Sequence, residues 1–298
     1  MNTLKTIDQG LEDEITAHKY QDFFKPGLYL VDNETYHAGP GWKSIIGSSG
    51  IKKLLRSPLH YITPDEKDST ALNFGEAYHL RILQPELFIE QVKAAPKCDK
   101  RTKEGKVVFE QFQREAAGKI IITQTESDAL DGMAERMNKC ETAKMILKNP
   151  GYFERSAIFE DPAFKFLGKV RPDFDIPNLR VIVDLKSTRD AGLDDFSRSC
   201  GTYGYDVSAA WYVDGMRLAT GINYETFIFI AQEKTPPYAV AVYQADAGML
   251  DVGRQKCAIA RAIYNECLHT DKWPGYLDQV QKISIPGWAA RKVAGVYD

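Results

Sequence analysis

The hexapeptide Val181-Ile182-Val183-Asp184-Leu185-Lys186 constrains the fold more than any other stretch of the chain. Consecutive β-branched residues favour an extended backbone. Alternation along a strand then puts Asp184 and Lys186 on one face with Leu185 opposite. A carboxylate and an ammonium are thus presented together near the end of a strand spanning Arg180 to Lys186. The pattern predicts two earlier strands, Glu154 to Glu160 and Phe164 to Phe174, separated by a turn at Asp161-Pro162. The three are expected to form an antiparallel meander, with Asp173 close to the end of its middle strand.

Helical signals flank this region. Ser48 to Leu55 reads as a short capped helix stopped before Pro58, within an otherwise irregular stretch up to Thr70. Leu72, Ala77, Leu80 and Leu83 recur at helical spacing, and Pro85 ends that helix, so His79 lies inside it. The basic stretch Lys97 to Lys106 leads into a second helical segment reaching Ala117. Thr125 followed by Asp128 resembles a capping box and starts a long helix to Lys148. After the Pro150-Gly151 break and the three strands, Phe196 to Ala219 reads as helix, Tyr224 to Glu233 and Tyr238 to Gln244 as strands, and Ala247 to Leu268 as a final helix. The fold class expected is α/β (α+β), a central mixed β-sheet flanked by helices. The division expected is an N-terminal extension over 1–47, a main domain over 48–270 and a C-terminal tail over 271–298.

With 44% hydrophobic and 27% charged residues, the chain has the composition of a globular core. A net charge of −3, from 38 basic and 41 acidic residues, argues against a nucleic-acid binder held by global positive charge. It leaves room for a local basic channel beside an acidic centre. Five scattered cysteines without a CxxC pair indicate neither a disulfide framework nor a zinc site, and point to a reducing compartment. Met1 to Tyr20 is polar and acidic without the apolar core of a signal peptide, and no apolar run approaches the ~18 residues of a membrane span. A cytoplasmic location is expected, with no membrane partner.

If the meander brings Asp173 beside Asp184, two hard oxygen donors converge, which suits Mg²⁺ better than a soft metal. His79 can add a nitrogen. Such a site activates a water for phosphodiester hydrolysis, with Lys186 orienting that water or stabilising developing charge. Taken alone, a strand reading apolar-apolar-Asp-apolar-Lys more often marks a half-exposed edge with a solvated ion pair, and a helical histidine is more often a satisfied structural residue.

The order of motifs adds to this. Gly75-Glu76-Ala77-Tyr78-His79, then Leu83-Gln84-Pro85-Glu86-Leu87-Phe88, Arg171-Pro172-Asp173, Asp184-Leu185-Lys186-Ser187-Thr188, Tyr203-Gly204-Tyr205 and Ala209-Ala210-Trp211-Tyr212 resemble the PD-(D/E)XK nucleases of exonuclease VIII (RecE-like) type found in phages and prophages. The resemblance runs from Ser48 to Tyr243. It implies a restriction-endonuclease-like core and a Mg²⁺-dependent exodeoxyribonuclease, with Mn²⁺ as a substitute. His79, Asp173, Asp184 and the Leu185 backbone carbonyl match metal ligands, and Lys186 matches the catalytic lysine. The family degrades linear double-stranded DNA from 5′ ends, leaves 3′ single strands for a phage single-strand annealing protein, and assembles as rings. A RecB-like nuclease of other polarity, an endonuclease, or a catalytically silent DNA-binding module are the alternatives on the same fold.

Further candidates surround these residues. Glu154, at the start of its strand, reads either as an additional metal-facing acid or as a solvated strand end; Asp175 reads as salt-bridging. Arg101, Lys103 and Lys106 resemble a basic DNA-binding pattern of the family, and also fit a solvated face. On the last motif, Tyr212 occupies the tyrosine of a QxxxY element that contacts DNA, whereas Ser208 stands where that element carries Gln and reaches less far. Trp211 is assigned to packing.

Overall fold

The computed structural model describes residues 24–64, 69–99 and 101–287, with the side chains of 69–71 excepted. The N-terminal extension before residue 24, the tail after residue 287 and Lys100 lie outside the described residues. The chain enters through strand β1 (Gly27–Tyr29) and helices α1 (Asn33–Ala38), α2 (Ser48–Arg56) and α3 (Pro58–Ile62). Helices α4 (Ser69–Leu83), α5 (Pro85–Gln91), α6 (Lys103–Glu115), α7 (Gln124–Lys139) and α8 (Glu141–Leu147) follow. Among them lie β2 (Val92–Ala95) and β3 (Ile120–Thr123), paired in parallel. Then come β4 (Tyr152–Phe153), β5 (Ser156–Glu160), β6 (Leu167–Val170), β7 (Phe174–Ile176) and β8 (Val181–Thr188). Helices α9 (Leu193–Tyr203) and α10 (Tyr205–Thr220), strands β9 (Thr226–Glu233) and β10 (Val240–Gln244), and helix α11 (Ala247–Thr270) complete the order.

The central sheet has the order β10-β9-β8-β7-β4 and is mixed: β8 and β9 run parallel, and the other pairs are antiparallel. A parallel step needs a crossover, which α9 and α10 supply. Alternation sorts the side chains of β8 and β9 onto two cores. Ile182, Phe227, Phe229 and Ala231 meet Ile51, Leu54, Val207, Trp211, Ala260 and Tyr264 from α2, α10 and α11. On the other face, Val183, Leu185 and Ile230 meet Ala77, Tyr78, Leu130, Met133 and Ala143 from α4, α7 and α8. The residues expected on β8 thus take the faces expected of them, and the mixed sheet between helical layers agrees with the predicted fold class.

The expected meander is corrected. Strand 164–174 is split: β6 pairs with β5, which also pairs with β1, in a separate three-stranded sheet, whereas β7 pairs with β4 and β8 in the central one. Physically, β4–β5 and β6–β7 are the two arms of one bent hairpin. The arms cross from sheet to sheet at Glu154-Arg155 and at Arg171-Pro172-Asp173, and Pro172 has no N–H to give to a ladder.

Other boundaries shift for local reasons. The helix from Phe196 to Ala219 is two helices broken at Gly204, whose φ of 62° is left-handed backbone that glycine adopts without strain. The capping box belongs to Thr123 and Glu126 rather than Thr125 and Asp128; the Thr123 side chain accepts from Glu126 N–H while the Glu126 carboxylate accepts from Thr123 N–H at 2.7 Å. Within the stretch before Thr70, the described residues 24–64 are far from irregular, since β1 adds to β5 and α1 and α3 are capped by Asp32 and Ser57.

Two buried cations of the hairpin fasten that N-terminal stretch. Lys169 Nζ donates to the carbonyls of Tyr36 and Trp42, each at 2.7 Å. Arg171 donates to Val31 O at 2.7 Å, Asp32 O at 3.2 Å and Ser156 Oγ at 2.8 Å, with its guanidinium 4.2 Å from the Tyr36 ring centroid. Among the described residues, no helix is long and apolar enough to cross a membrane.

Gly253 brings α11 so close to α10 that a Cβ there would lie 2.1 Å from the Asp206 carbonyl oxygen. Gly253→Ala is expected to destabilise the fold by about 1–3 kcal/mol, as overpacking does. A urea titration checks this, and an unchanged midpoint would show that the two helices separate freely.

Candidate active site

Three side chains from different elements meet beside the part of β8 that lies past its pairing with β7. The β4–β5 bend carries Glu154, the β6–β7 bend carries Asp173, and α4 carries His79 next to the fully buried Tyr78. His79 Nδ1 stands 3.5 Å from Glu154 Oε1 and 3.5 Å from Asp173 Oδ1. One donor atom from each of the three lies within 4.8 Å of the others. Asp184 is adjacent but differently engaged, its buried carboxylate forming an ion pair with Lys186. Asp173 Oδ2 reaches β8 directly, accepting from Leu185 N–H at 2.6 Å, and Lys186 Nζ lies 3.4 Å from the Leu185 carbonyl oxygen.

Electrostatics bind these groups into one unit. Burial pushes the carboxyls of Asp173 and Asp184 upward; His79 and Lys186 act against it on Asp173, and Lys186 leads that opposition on Asp184. Burial works to depress His79 and Lys186, but the facing carboxylates prevail. The imidazole is pushed up to about 9, chiefly by Asp173 and then Glu154, and Lys186 rises above the ordinary lysine value through Asp184 and Asp173. Two hard carboxylates and one borderline imidazole nitrogen this close are a donor set that can hold a divalent cation such as Mn²⁺ or Mg²⁺. The donors present therefore fit such a cation, and Asp184 and the Leu185 carbonyl stand next to them.

Of the sequence candidates, the structure gathers His79, Glu154 and Asp173 in one place and puts Asp184 and Lys186 beside them. Tyr212 of α10 is half-buried, near enough for Asp184, Asp173 and Glu154 to act on its hydroxyl and for Ser48 to hydrogen-bond to it; burial above all raises its pKa. Ser208, one turn earlier, is buried. Arg101, Lys103 and Lys106 lie elsewhere, exposed around the first turn of α6, and no described contact joins them to the trio. Asp175 is ion-paired with Arg155, and Trp211 packs in the core with its indole N–H donating to Lys169 O at 3.0 Å.

Sequence reasoning missed Lys52. This α2 lysine lies 5.7 Å from the Tyr205 ring centroid, with Lys186 Nζ 5.2 Å from the same ring. Burial and then the Lys186 charge lower its pKa to about 8. No spacing rule marks it, because its neighbour Lys186 is remote in sequence. Ser48 was equally unmarked.

Residues 47–285 match the model of a family described as a PDDEXK-like domain of unknown function (DUF3799). No curated protein matches the sequence. Among solved structures, a candidate exonuclease from Eubacterium rectale aligns with a TM-score of 0.55 at 16% identity, covering 88% of this chain and 98% of that one. A phage-related exonuclease from Haemophilus somnus 129PT aligns at 0.32 and 13% identity, over 76% and 96% of the two chains. An alkaline exonuclease from Laribacter hongkongensis aligns at 0.29 and 10%, over 85% and 94%. At 16% identity the first match shows a shared fold alone. With the family model spanning 47–285 and this mixed sheet beneath it, the chain belongs to the PDDEXK-like family.

Proposed function

We propose that the protein is a metal-dependent exodeoxyribonuclease acting on the ends of linear double-stranded DNA. The observation that carries this reading is the convergence of His79, Glu154 and Asp173 beside the Asp184–Lys186 ion pair. A cation-binding set beside a protonated lysine suits hydrolysis of a phosphodiester, the cation for the phosphate oxygens and the ammonium for the water or the developing charge. His79, Glu154 and Asp173 would hold a Mg²⁺, or Mn²⁺ in its place, with Asp184 and the Leu185 carbonyl as further oxygen donors. When bound, such an ion polarises the scissile phosphate and lowers the pKa of a coordinated water.

The chain's own groups supply the rest. Lys186, kept protonated by Asp184 and Asp173, presents an N–H to the attacking water or to a non-bridging phosphate oxygen. Asp184 holds that ammonium beside the trio, so the donor needs no reorganisation when charge develops. The Leu185 N–H bond fixes one oxygen of Asp173 and leaves the other facing His79. Tyr212 borders the site and offers a hydroxyl to the strand; Ser208 and the basic side chains Arg101, Lys103 and Lys106 are proposed DNA contacts of lesser weight. Degradation from 5′ ends, delivery of 3′ single strands to a phage annealing protein, ring assembly and a cytoplasmic setting complete the reading by its likeness to the exonuclease VIII type.

Lys186→Ala should lower nucleotide release from linear duplexes by at least about 100-fold, the scale of losing one preorganised donor, with circular dichroism unchanged. Undiminished digestion would sink the assignment. Duplexes labelled at one 5′ or one 3′ end, with closed circles as control, should lose the 5′ label first; prompt cutting of circles would instead mark an endonuclease. By calorimetry, Asp173→Asn should weaken Mn²⁺ binding by more than the ~10- to 100-fold typical of a lost outer-shell partner. Equal affinity would remove Asp173 from the ligand set.

A further inference from the structure

Arg155 adjoins Glu154 yet directs its charge away from the trio. Its side chain is only 10% exposed, its Nη2 pairs with Asp175 Oδ2, and its guanidinium lies 3.8 Å from the Tyr152 ring centroid. Asp175 is fully buried, and its Oδ2 also accepts from the Tyr224 hydroxyl at 2.9 Å. The arrangement is incompletely satisfied, because Arg155 Nε and Asp175 Oδ1 are buried without a hydrogen-bond partner. A buried ion pair of that kind adds little to stability over apolar residues of like volume. Stability therefore does not account for it.

Its place in the chain does. Glu154 has a φ of 50°, a left-handed conformation that side chains other than glycine resist. Its own N–H donates to Asp173 O at 3.1 Å, and the residue after it is drawn inward to Asp175, two residues beyond Asp173 on the opposite arm of the hairpin. Glu154 is thus pinned on both sides to the arm that carries Asp173. Released from the second pin, the backbone would relax toward extended geometry and turn the carboxylate away from His79.

We propose that Arg155, clamped by Asp175 and Tyr224, is a positioning residue that locks Glu154 in its left-handed kink and so presents its carboxylate as a ligand to a divalent cation. This rests on the reading of the trio as a cation site, and the experiment separates the two. Mn²⁺ binding to the full chain is measured by electron paramagnetic resonance and calorimetry. A weaker Kd for Glu154→Gln than for the unaltered protein supports the ligand reading; no binding by the unaltered protein, or equal affinity in Glu154→Gln, overturns that reading and the clamp with it.

The paired variant Arg155→Met/Asp175→Leu replaces the ion pair by apolar side chains. It is expected to keep the native circular dichroism and a similar melting temperature, yet to bind Mn²⁺ ~10- to 100-fold more weakly. Adding Glu154→Gln to it should cost nothing more, since both changes remove one interaction. Unaltered Mn²⁺ affinity in the folded paired variant overturns the clamp and leaves the cation site standing. Should the paired variant fail to fold, Tyr224→Phe removes a single hydroxyl and is expected to weaken Mn²⁺ binding on the order of threefold. Unchanged affinity there overturns the proposal as well, and Arg155→Lys should recover part of what Arg155→Met loses.

Discussion

Asp173 and Asp184 are carboxylates withdrawn from water, and the rest of the structure answers to that. A charge moved into a protein interior costs far more than any single contact returns unless an opposite charge and hydrogen bonds accompany it. Here Lys186, His79 and the Leu185 N–H provide both. Those partners come from the centre of the sheet and from a helix on its face, so the acids stay compensated only while sheet and helix hold their relative places. The two apolar cores on either side of β8 and β9 keep them there.

The bent hairpin is the second element of the design. One pair of arms serves two sheets, and each arm surrenders ladder hydrogen bonds where it crosses. Backbone at such a crossing would be the weakest part of the sheet. Instead, three buried cations lie along it, Arg155, Lys169 and Arg171, each bonded to carbonyl or carboxylate oxygens nearby. Glu154 and Asp173 occupy the two crossings themselves. The position where regular pairing lapses is the position from which an acid can face a helix instead of a neighbouring strand.

Much of this was legible in the sequence where the signal was periodic. The β-branched run of β8 fixed the common face of Asp184 and Lys186, and the spacing of apolar residues up to Pro85 put His79 on a helix. What stayed hidden depends on contacts distant in the chain. Alternation ran on through Phe164 to Phe174 although Arg171 and Pro172 turn the strand into another sheet. Both Thr123 with Glu126 and Thr125 with Asp128 satisfy a capping pattern, and the end of β3 selects the first. Glu154 gave no hint of its left-handed backbone, since nothing local favours it. The basic run at Arg101 to Lys106 stood out by composition, yet its described surroundings are those of a helix start.

The fastening of residues 31–42 has a consequence for how that segment can vary. Lys169 and Arg171 grip it through the carbonyl oxygens of Val31, Asp32, Tyr36 and Trp42, groups that every residue type possesses. Apart from the Tyr36 ring beneath both cations, the grip registers the course of the main chain rather than its spelling. Exchanges of side chain at Val31 leave its acceptor in place, whereas adding or deleting one residue between Val31 and Trp42 would carry the acceptors out of register with both cations. Length, more than identity, is what the physics of this latch demands.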